Sequence, residues 1–168
     1  MSKNNKEYSS RQEKLVADIL GCSVVKGSGA RPCNPGDVKG EKWLCECKTH
    51  TELNQPIFFS YEVWEKIVKE AMFAHRSPLL VTDDGSQTAE KTWCIFPPAA
   101  VNADLIYKLP LKVMKNKNIT FKHFEMIADY ETNQSNLGEN VVYDIHWGRY
   151  FVYMCPIKSL LKICEDDI

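Results

Sequence analysis

The sequence predicts an α/β fold in which a mixed central β-sheet is flanked by helices. Segments with the apolar spacing of helices alternate with segments of strand character, in the order helix, strands, helix, strands. Further strand-like segments in the last third predict a C-terminal β-rich extension. We expect one domain over residues 1–168, with a core at about 7–98 and the extension at 99–168.

The first predicted helix covers the segment SSRQEKLVADILG. Its apolar face consists of Leu15, Val16, Ile19 and Leu20, and Gly21 is a typical C-terminal stop. Ser10 and Glu13 fit the S-x-x-E capping box, in which the glutamate side chain reaches back to the amide of the N-cap residue. Helix capping is therefore one complete explanation of Glu13, and a functional role is the other.

Short strands are expected around a Gly/Pro-rich loop, KGSGARPCNPG. A strand SVV precedes the loop, and strands at Asp37-Val38 and KWLCECK follow it, with a turn around Lys39-Gly40. Side chains alternate between the two faces of a strand. In KWLCECK, one face carries Leu44, Glu46 and Lys48, and the other carries Trp43, Cys45 and Cys47.

The rest of the chain continues the same alternation. The segment YEVWEKIVKEAMFAH predicts a core-facing helix with Glu65, Lys66, Lys69 and Glu70 on its outer side. Two strands, PLLVT and KTWCIF, follow on either side of a turn rich in Asp, Gly and Ser. We then expect a loop, ETNQSNLGEN, a strand pair, VVYDIHW and RYFVYMC, and a short final helix, IKSLLKIC.

The composition is typical of a soluble globular protein, since 44% of the residues are hydrophobic and 26% are charged. No run approaches the roughly 18 apolar residues that a membrane helix needs, and MSKNNKEYSS lacks the apolar centre of a secretory signal. The odd number of cysteines, seven, favours free thiols in a reducing compartment. We therefore expect a cytoplasmic protein with no membrane partner.

One segment of the chain is strongly basic, although the net charge of -1 gives no global attraction to nucleic acid. Between Leu105 and Phe124 there is no Asp or Glu. This segment contains Lys108, Lys112, Lys115, Lys117, Lys122 and His123. Such a cluster either supplies phosphate contacts to DNA or forms a solvated face.

Two carboxylates at the ends of adjacent predicted strands are the main candidates for a functional site. Asp37 and Glu46 supply oxygen ligands of the kind that suits Mg²⁺, and the backbone carbonyl of Cys47 is a further candidate ligand. Lys48 lies beside them, where an ammonium group can hold the attacking water and stabilise charge on a phosphate.

These residues carry a family resemblance. PGD followed by ECK resembles the signature of the PD-(D/E)xK nuclease superfamily, and GSGARP with Glu13 in an upstream helix resembles its archaeal-type Holliday junction resolvases. The likeness covers about residues 7 to 98. Gly36 stands where the usual proline would be, and Lys14 rather than arginine follows Glu13.

The resemblance implies a restriction-endonuclease-like fold and a Mg²⁺- or Mn²⁺-dependent endonuclease that cuts branched DNA, such as Holliday junctions, in recombination or repair. By this likeness, Asp37 and Glu46 bind metal, Lys48 assists the water, and Glu13 occupies the second metal position or its outer shell. By the same likeness, Ser28 and Arg31 would face the scissile phosphate or its neighbours, and a phage-encoded relative would lie in the host cytoplasm. The basic segment lies beyond the likeness, and we expect its lysines to supply phosphate contacts along the duplex arm: Lys112, Lys115, Lys117 and Lys122. A homodimer is expected, because cutting two strands of a symmetric junction calls for two sites related by a two-fold axis.

Two alternatives remain open from the sequence. The same site would also serve a restriction, repair or nicking nuclease that acts on duplex or flap DNA. From a different class, the chain would be a non-catalytic, zinc-stabilised nucleic-acid-binding module. Its ligands would be Cys33, Cys45, Cys47 and His50, although the usual C-x₂-C spacing of zinc knuckles is absent and strand alternation makes Cys45 and Cys47 packing residues.

Overall fold

The computed structural model describes residues 3–27, 34–113, 118–138 and 140–165, and the elements named below lie in these ranges. The helices are α1 (Lys3–Leu20), α2 (Tyr61–Phe73), α3 (His123–Leu137) and α4 (Ile157–Glu165). The strands are β1 (Ser23–Val24), β2 (Val38–Lys39), β3 (Trp43–Lys48), β4 (Ile57–Phe59), β5 (Ser77–Asp83), β6 (Thr92–Phe96), β7 (Tyr107–Leu111), β8 (Ile119–Phe121), β9 (Val141–Trp147) and β10 (Tyr150–Pro156). Short 3-10 helices occur at Ala89–Lys91, Pro98–Ala100 and Ala103–Leu105.

A mixed sheet of eight strands forms the centre of the molecule, in the order β1-β2-β3-β5-β6-β10-β9-β7. The pairs β3–β5 and β7–β9 are parallel, and the other neighbours are antiparallel. Helices pack on this sheet: α1 on β1, β2 and β3, α2 on β3 and β5, α3 on β9, and α4 on β6 and β10. The predicted α/β class, with a mixed central sheet flanked by helices, is therefore confirmed.

The last third of the chain continues the central sheet. Strand β10 pairs with β6, and β9 and β7 follow it to the sheet edge. The hairpin between β9 and β10 turns at Gly148-Arg149, as its sequence predicts, and Gly148 has a φ of 61°. Glycine suits this turn because other residues rarely adopt positive φ. The remaining strands, β4 and β8, form a separate two-stranded sheet.

Strand β3 is buried on both faces. Leu44 and Cys45 point to opposite faces, and neither is exposed to solvent. Such a pattern requires cover on both sides, and both α1 and α2 pack on β3. The strand therefore places its polar residue, Glu46, inside an apolar layer, where only a specific interaction compensates for the lost hydration.

Two expectations about helix boundaries are wrong. Helix α1 begins at Lys3, so Ser10 lies well inside it and is not the N-cap of a capping box. The segment before Ser10, KNNKEYS, contains no glycine or proline to stop the helix. Likewise, α3 extends through most of the expected loop ETNQSNLGEN and ends at Leu137, before Gly138 with its φ of 109°.

The C-terminal half of α3 has the polar composition of a loop, yet its side chains form hydrogen bonds within the helix. Thr132, Asn133 and Ser135 each donate a hydrogen bond to the backbone carbonyl four residues earlier. These bonds satisfy side chains that otherwise favour turns. Tyr130 anchors the helix: it is buried, and its hydroxyl donates to the Val141 carbonyl at 2.7 Å.

None of the helices in the described ranges is both long enough and apolar enough to cross a bilayer.

Candidate active site

The candidate site begins with Asp37, which is held against the end of β3. Asp37 immediately precedes β2, and its backbone N–H donates to the Cys45 carbonyl at 2.7 Å. Its side-chain Oδ2 accepts a hydrogen bond from the Cys47 N–H at 2.9 Å. These two bonds, one on each side of Glu46 in the sequence, place the Asp37 carboxylate beside the motif strand.

The backbone conformation of Gly36 excludes proline at the position where the nuclease signature that the sequence resembles carries one. Its φ of 72° lies in a region that proline cannot adopt, since the proline ring fixes φ near −65°. A Cβ at this position would lie 2.8 Å from Leu44 Cδ1 and 3.1 Å from the Cys45 carbonyl oxygen. The close approach of this turn to β3 therefore favours glycine immediately before Asp37.

Glu46 is the buried carboxylate of the site, with only 5% of its surface exposed. Lys48 Nζ donates to Oε1 at 2.8 Å, and Lys66 Nζ of α2 lies 3.3 Å from Oε2. The two ammonium groups balance a charge that would otherwise be costly to bury. Both lysine side chains are about half exposed, at 49% and 55%, so the site opens to solvent on the lysine side.

Glu13 joins this cluster from α1. The pKa of its carboxyl is raised to about 7, mainly by burial and also by the negative charges of Asp37 and Glu46, although Lys48 lowers it. The four predicted catalytic residues thus influence one another electrostatically, and α1, which carries Glu13, packs on β3. Because Ser10 is inside the helix, the capping box does not explain Glu13. The position of Glu13 beside two other carboxylates therefore requires a different explanation.

Lys48 is a cation in this site. Burial lowers the pKa of its ammonium group, but the hydrogen bond to Glu46 and the charges of Glu46 and Asp37 outweigh burial and raise the pKa above the ordinary value. A lysine of raised pKa remains protonated at neutral pH. Lys48 is therefore suited to donate hydrogen bonds to an oxygen ligand or a phosphate rather than to remove a proton.

Two residues of the site, Lys66 and Glu70, were missed by sequence reasoning, which placed them on the solvent side of a helix. Lys66 contacts Glu46, and it also lies 3.8 Å from Glu70 Oε1, one turn further along α2. Glu70 Oε2 accepts the Gly36 N–H at 3.2 Å. The sequence feature that could have identified them is the spacing of a lysine and a glutamate four residues apart, beside the apolar stripe of the helix.

Of the six residues predicted to contact DNA, two lie in the described part of the chain. Ser28, Arg31, Lys115 and Lys117 lie outside the described residues. Lys112 and Lys122 are exposed, and Lys122 lies 3.6 Å from Glu125. Lys112 follows β7 at the far edge of the sheet, five strand spacings from β3, which is about 24 Å at the usual spacing. It is therefore not part of the carboxylate cluster.

The zinc alternative finds little support in the described ligands. Burial raises the pKa of the Cys45 and Cys47 thiols well above the ordinary value, so they are neutral packing groups. His50 Nε2 lies 3.0 Å from the Pro56 carbonyl oxygen, and Cys33 lies outside the described residues. Within residues 3–27, 34–113, 118–138 and 140–165, no three His, Cys, Asp or Glu side chains are arranged to hold a metal ion together.

Glu13, Asp37 and Glu46 are not arranged as a set of metal ligands either, and the contacts of two of them are the reason. The Glu46 oxygens face two lysines, and Asp37 Oδ2 accepts the Cys47 amide. The chemistry of the donor set nevertheless fits a hard divalent cation, because the ligands are carboxylate oxygens and a neighbouring backbone carbonyl. The raised pKa of Glu13 arises mainly from burial and in part from repulsion by Asp37 and Glu46, and a cation would relieve that repulsion.

Comparison with known proteins returned no match: no family model, no curated protein and no solved structure is similar to the chain. The case for a function therefore depends on the chemistry of the cluster and on its position in the fold.

The raised pKa of Glu13 predicts a stability effect that does not depend on any activity. A carboxyl whose pKa is higher in the folded state than in the unfolded state destabilises the fold as pH rises through that interval, here from about 4.5 to about 7. We compare the free energy of unfolding of Glu13→Gln with that of wild type. The difference in favour of Glu13→Gln should be about 1 to 2 kcal/mol larger at pH 8 than at pH 5, with solvent screening allowed for. Urea unfolding at both pH values measures this.

The matched control for that experiment is Glu7→Gln, at an exposed position of the same helix. Its effect on the free energy of unfolding should not change between pH 5 and pH 8. Parallel pH curves for wild type and Glu13→Gln would show that the pKa of Glu13 is not raised in the folded protein.

Proposed function

We propose that the chain is a divalent-metal-dependent endodeoxyribonuclease of the PD-(D/E)xK type. The observation that carries this proposal is the convergence of Glu13, Asp37, Glu46 and Lys48. These residues come from α1, from the start of β2 and from β3, and no capping interaction explains Glu13. Three acidic groups beside a cationic lysine, at an opening to solvent, suit the hydrolysis of a phosphodiester bond.

Each residue has a role in this proposal. Asp37, Glu46, Glu13 and the Cys47 carbonyl would hold Mg²⁺ or Mn²⁺. The bound metal would supply the acidity of a water molecule and polarise the phosphate. Lys48 donates hydrogen bonds that orient the water and stabilise negative charge on the phosphate oxygens. The hydrogen bond from the Cys47 amide keeps Asp37 in place while the substrate binds.

Branched DNA, and Holliday junctions in particular, is the substrate that we propose, and the family resemblance is its main support. The exposed lysines near β7 and β8 are compatible with contacts to a duplex arm that extends across the sheet from the carboxylate cluster. A homodimer remains part of the proposal, because a symmetric junction presents two equivalent strands. The restriction-endonuclease-like architecture is likewise proposed, on the basis of a mixed sheet that presents the motif on β2 and β3.

Cleavage of a labelled four-way junction, with a linear duplex of the same sequence as control, tests the proposal. In Mg²⁺ we expect paired nicks near the branch point, no cutting in chelator, and slower cutting of the linear duplex. Equal cutting of both substrates would support nuclease activity but exclude selectivity for junctions. Absence of cutting with both Mg²⁺ and Mn²⁺ would overturn the nuclease. Stoichiometric zinc together with unfolding in chelator would then favour the binding module.

A further inference from the structure

Lys66 engages the buried carboxylate of the site from a second direction. Its Nζ lies 3.3 Å from Oε2 and 3.5 Å from Oε1 of Glu46, while Lys48 donates to Oε1 at 2.8 Å. We propose that Lys66 is an internal counter-ion of Glu46 that competes with the divalent metal, so that metal binding displaces it. This inference rests on the proposed function, because it concerns the metal that the nuclease would use.

The two lysines differ in how firmly they are held. Lys48 lies on the same strand as Glu46, two residues away and on the same face, and it makes the shorter contact. Lys66 reaches the carboxylate from α2, makes longer contacts and has 55% of its side chain exposed. Lys66 is therefore the lysine that is released more easily when Oε2 takes a metal ion.

Glu70 supplies a second position for the released ammonium group. Glu70 Oε1 lies 3.8 Å from Lys66 Nζ on the same face of α2, so a small rotation moves the ammonium from Glu46 toward Glu70. Glu70 itself is held by the Gly36 N–H. The pair Lys66 and Glu70 thus connects α2 to Glu46 and to the turn that precedes Asp37.

The charge balance gives the direction of the effect. Lys48 interacts electrostatically with Glu13, Asp37 and Glu46, whereas Lys66 contacts Glu46 and Glu70. Removing the Lys66 charge makes the net charge of the site more negative and frees one Glu46 oxygen, so a divalent cation should bind more tightly. Removing the Glu70 charge eliminates the alternative position, so Lys66 should remain on Glu46 and the cation should bind more weakly.

The test is Mn²⁺ binding to the intact protein without DNA, followed by the electron paramagnetic resonance signal of free Mn²⁺. We expect Lys66→Met to lower the dissociation constant about threefold to tenfold, and Glu70→Gln to raise it about twofold to threefold. Lys66→Arg, which keeps the positive charge, should bind Mn²⁺ as the wild type does. The matched control is Lys69→Met, at an exposed position of the same helix, and it should leave the constant unchanged.

The outcomes separate this inference from the proposed function. If the wild type binds Mn²⁺ and Lys66→Met binds it equally or more weakly, the counter-ion role is wrong and the nuclease proposal stands. If the wild type neither binds Mn²⁺ nor cuts DNA, the proposed function fails, and the counter-ion role fails with it. Should Lys66→Met not fold, as judged by circular dichroism, Lys66→Gln replaces it in the same titration, and an unchanged constant there would overturn the inference.

Discussion

Lys48→Ala is expected to lower the rate of junction cleavage by about 10² to 10³-fold. The ammonium group is held beside the carboxylates by its bond to Glu46 and is protonated at neutral pH, so it is placed to stabilise charge on the phosphate. Loss of one preorganised donor to a developing negative charge has an effect of this size. The measurement is the single-turnover rate on a labelled four-way junction at saturating Mg²⁺.

Lys39→Ala is the matched control for Lys48→Ala. Lys39 is an exposed lysine on the neighbouring strand β2, and its loss should leave the single-turnover rate nearly unchanged. Thermal unfolding of both variants separates an effect on chemistry from an effect on folding. A Lys48→Ala protein that remains folded and cuts at the wild-type rate would remove Lys48 from the mechanism.

Asp37 accepts the Cys47 N–H and is proposed to bind metal, and two substitutions should separate the observed role from the proposed one. Asn keeps a side-chain oxygen for the Cys47 N–H but lacks the charge of a metal ligand. We expect Asp37→Asn to unfold within about 0.5 kcal/mol of wild type and to lose at least about a hundredfold in cleavage, since even the loss of a group that supports a metal ligand costs 10- to 100-fold. Asp37→Ala should lose as much cleavage and, in addition, about 1 to 3 kcal/mol of stability, because the Cys47 N–H then has no acceptor.

Urea unfolding and the same cleavage assay measure the two effects of the Asp37 substitutions. The informative comparison is between Asn and Ala, because both remove the charge and only Ala removes the hydrogen-bond acceptor. Equal stabilities of the two variants would show that the bond to the Cys47 amide does not stabilise the site. Undiminished cleavage by Asp37→Asn would exclude Asp37 as a metal ligand.

Local sequence patterns predicted the elements whose signals are contained within a few residues. The strands β5, β6, β9 and β10 and the helices α2 and α4 lie where periodicity places them. The proximity of Glu46 and Lys48 is equally local, because residues two apart on a strand share a face. The beginning of α1 and the whole of α3 were not predicted, because segments without strong breakers are stabilised as helices by packing that the sequence pattern does not show.

Residues distant in the sequence were brought together only by tertiary structure. The sequence offered capping as an explanation of Glu13, and only the start of α1 at Lys3 and the raised pKa of Glu13 remove it. Lys66 and Glu70 had the pattern of a solvated helix face, yet α2 packs so that both lie against the site.

The sequence by itself thus determined the α/β class, the order of the main elements and the pairing of Glu46 with Lys48, because these depend on alternation and spacing within single segments. Only the tertiary structure decided which groups share the electrostatic environment of Glu46. That environment depends on how α1 and α2 pack on β3, and such packing is set by contacts between segments that the chain separates by up to tens of residues.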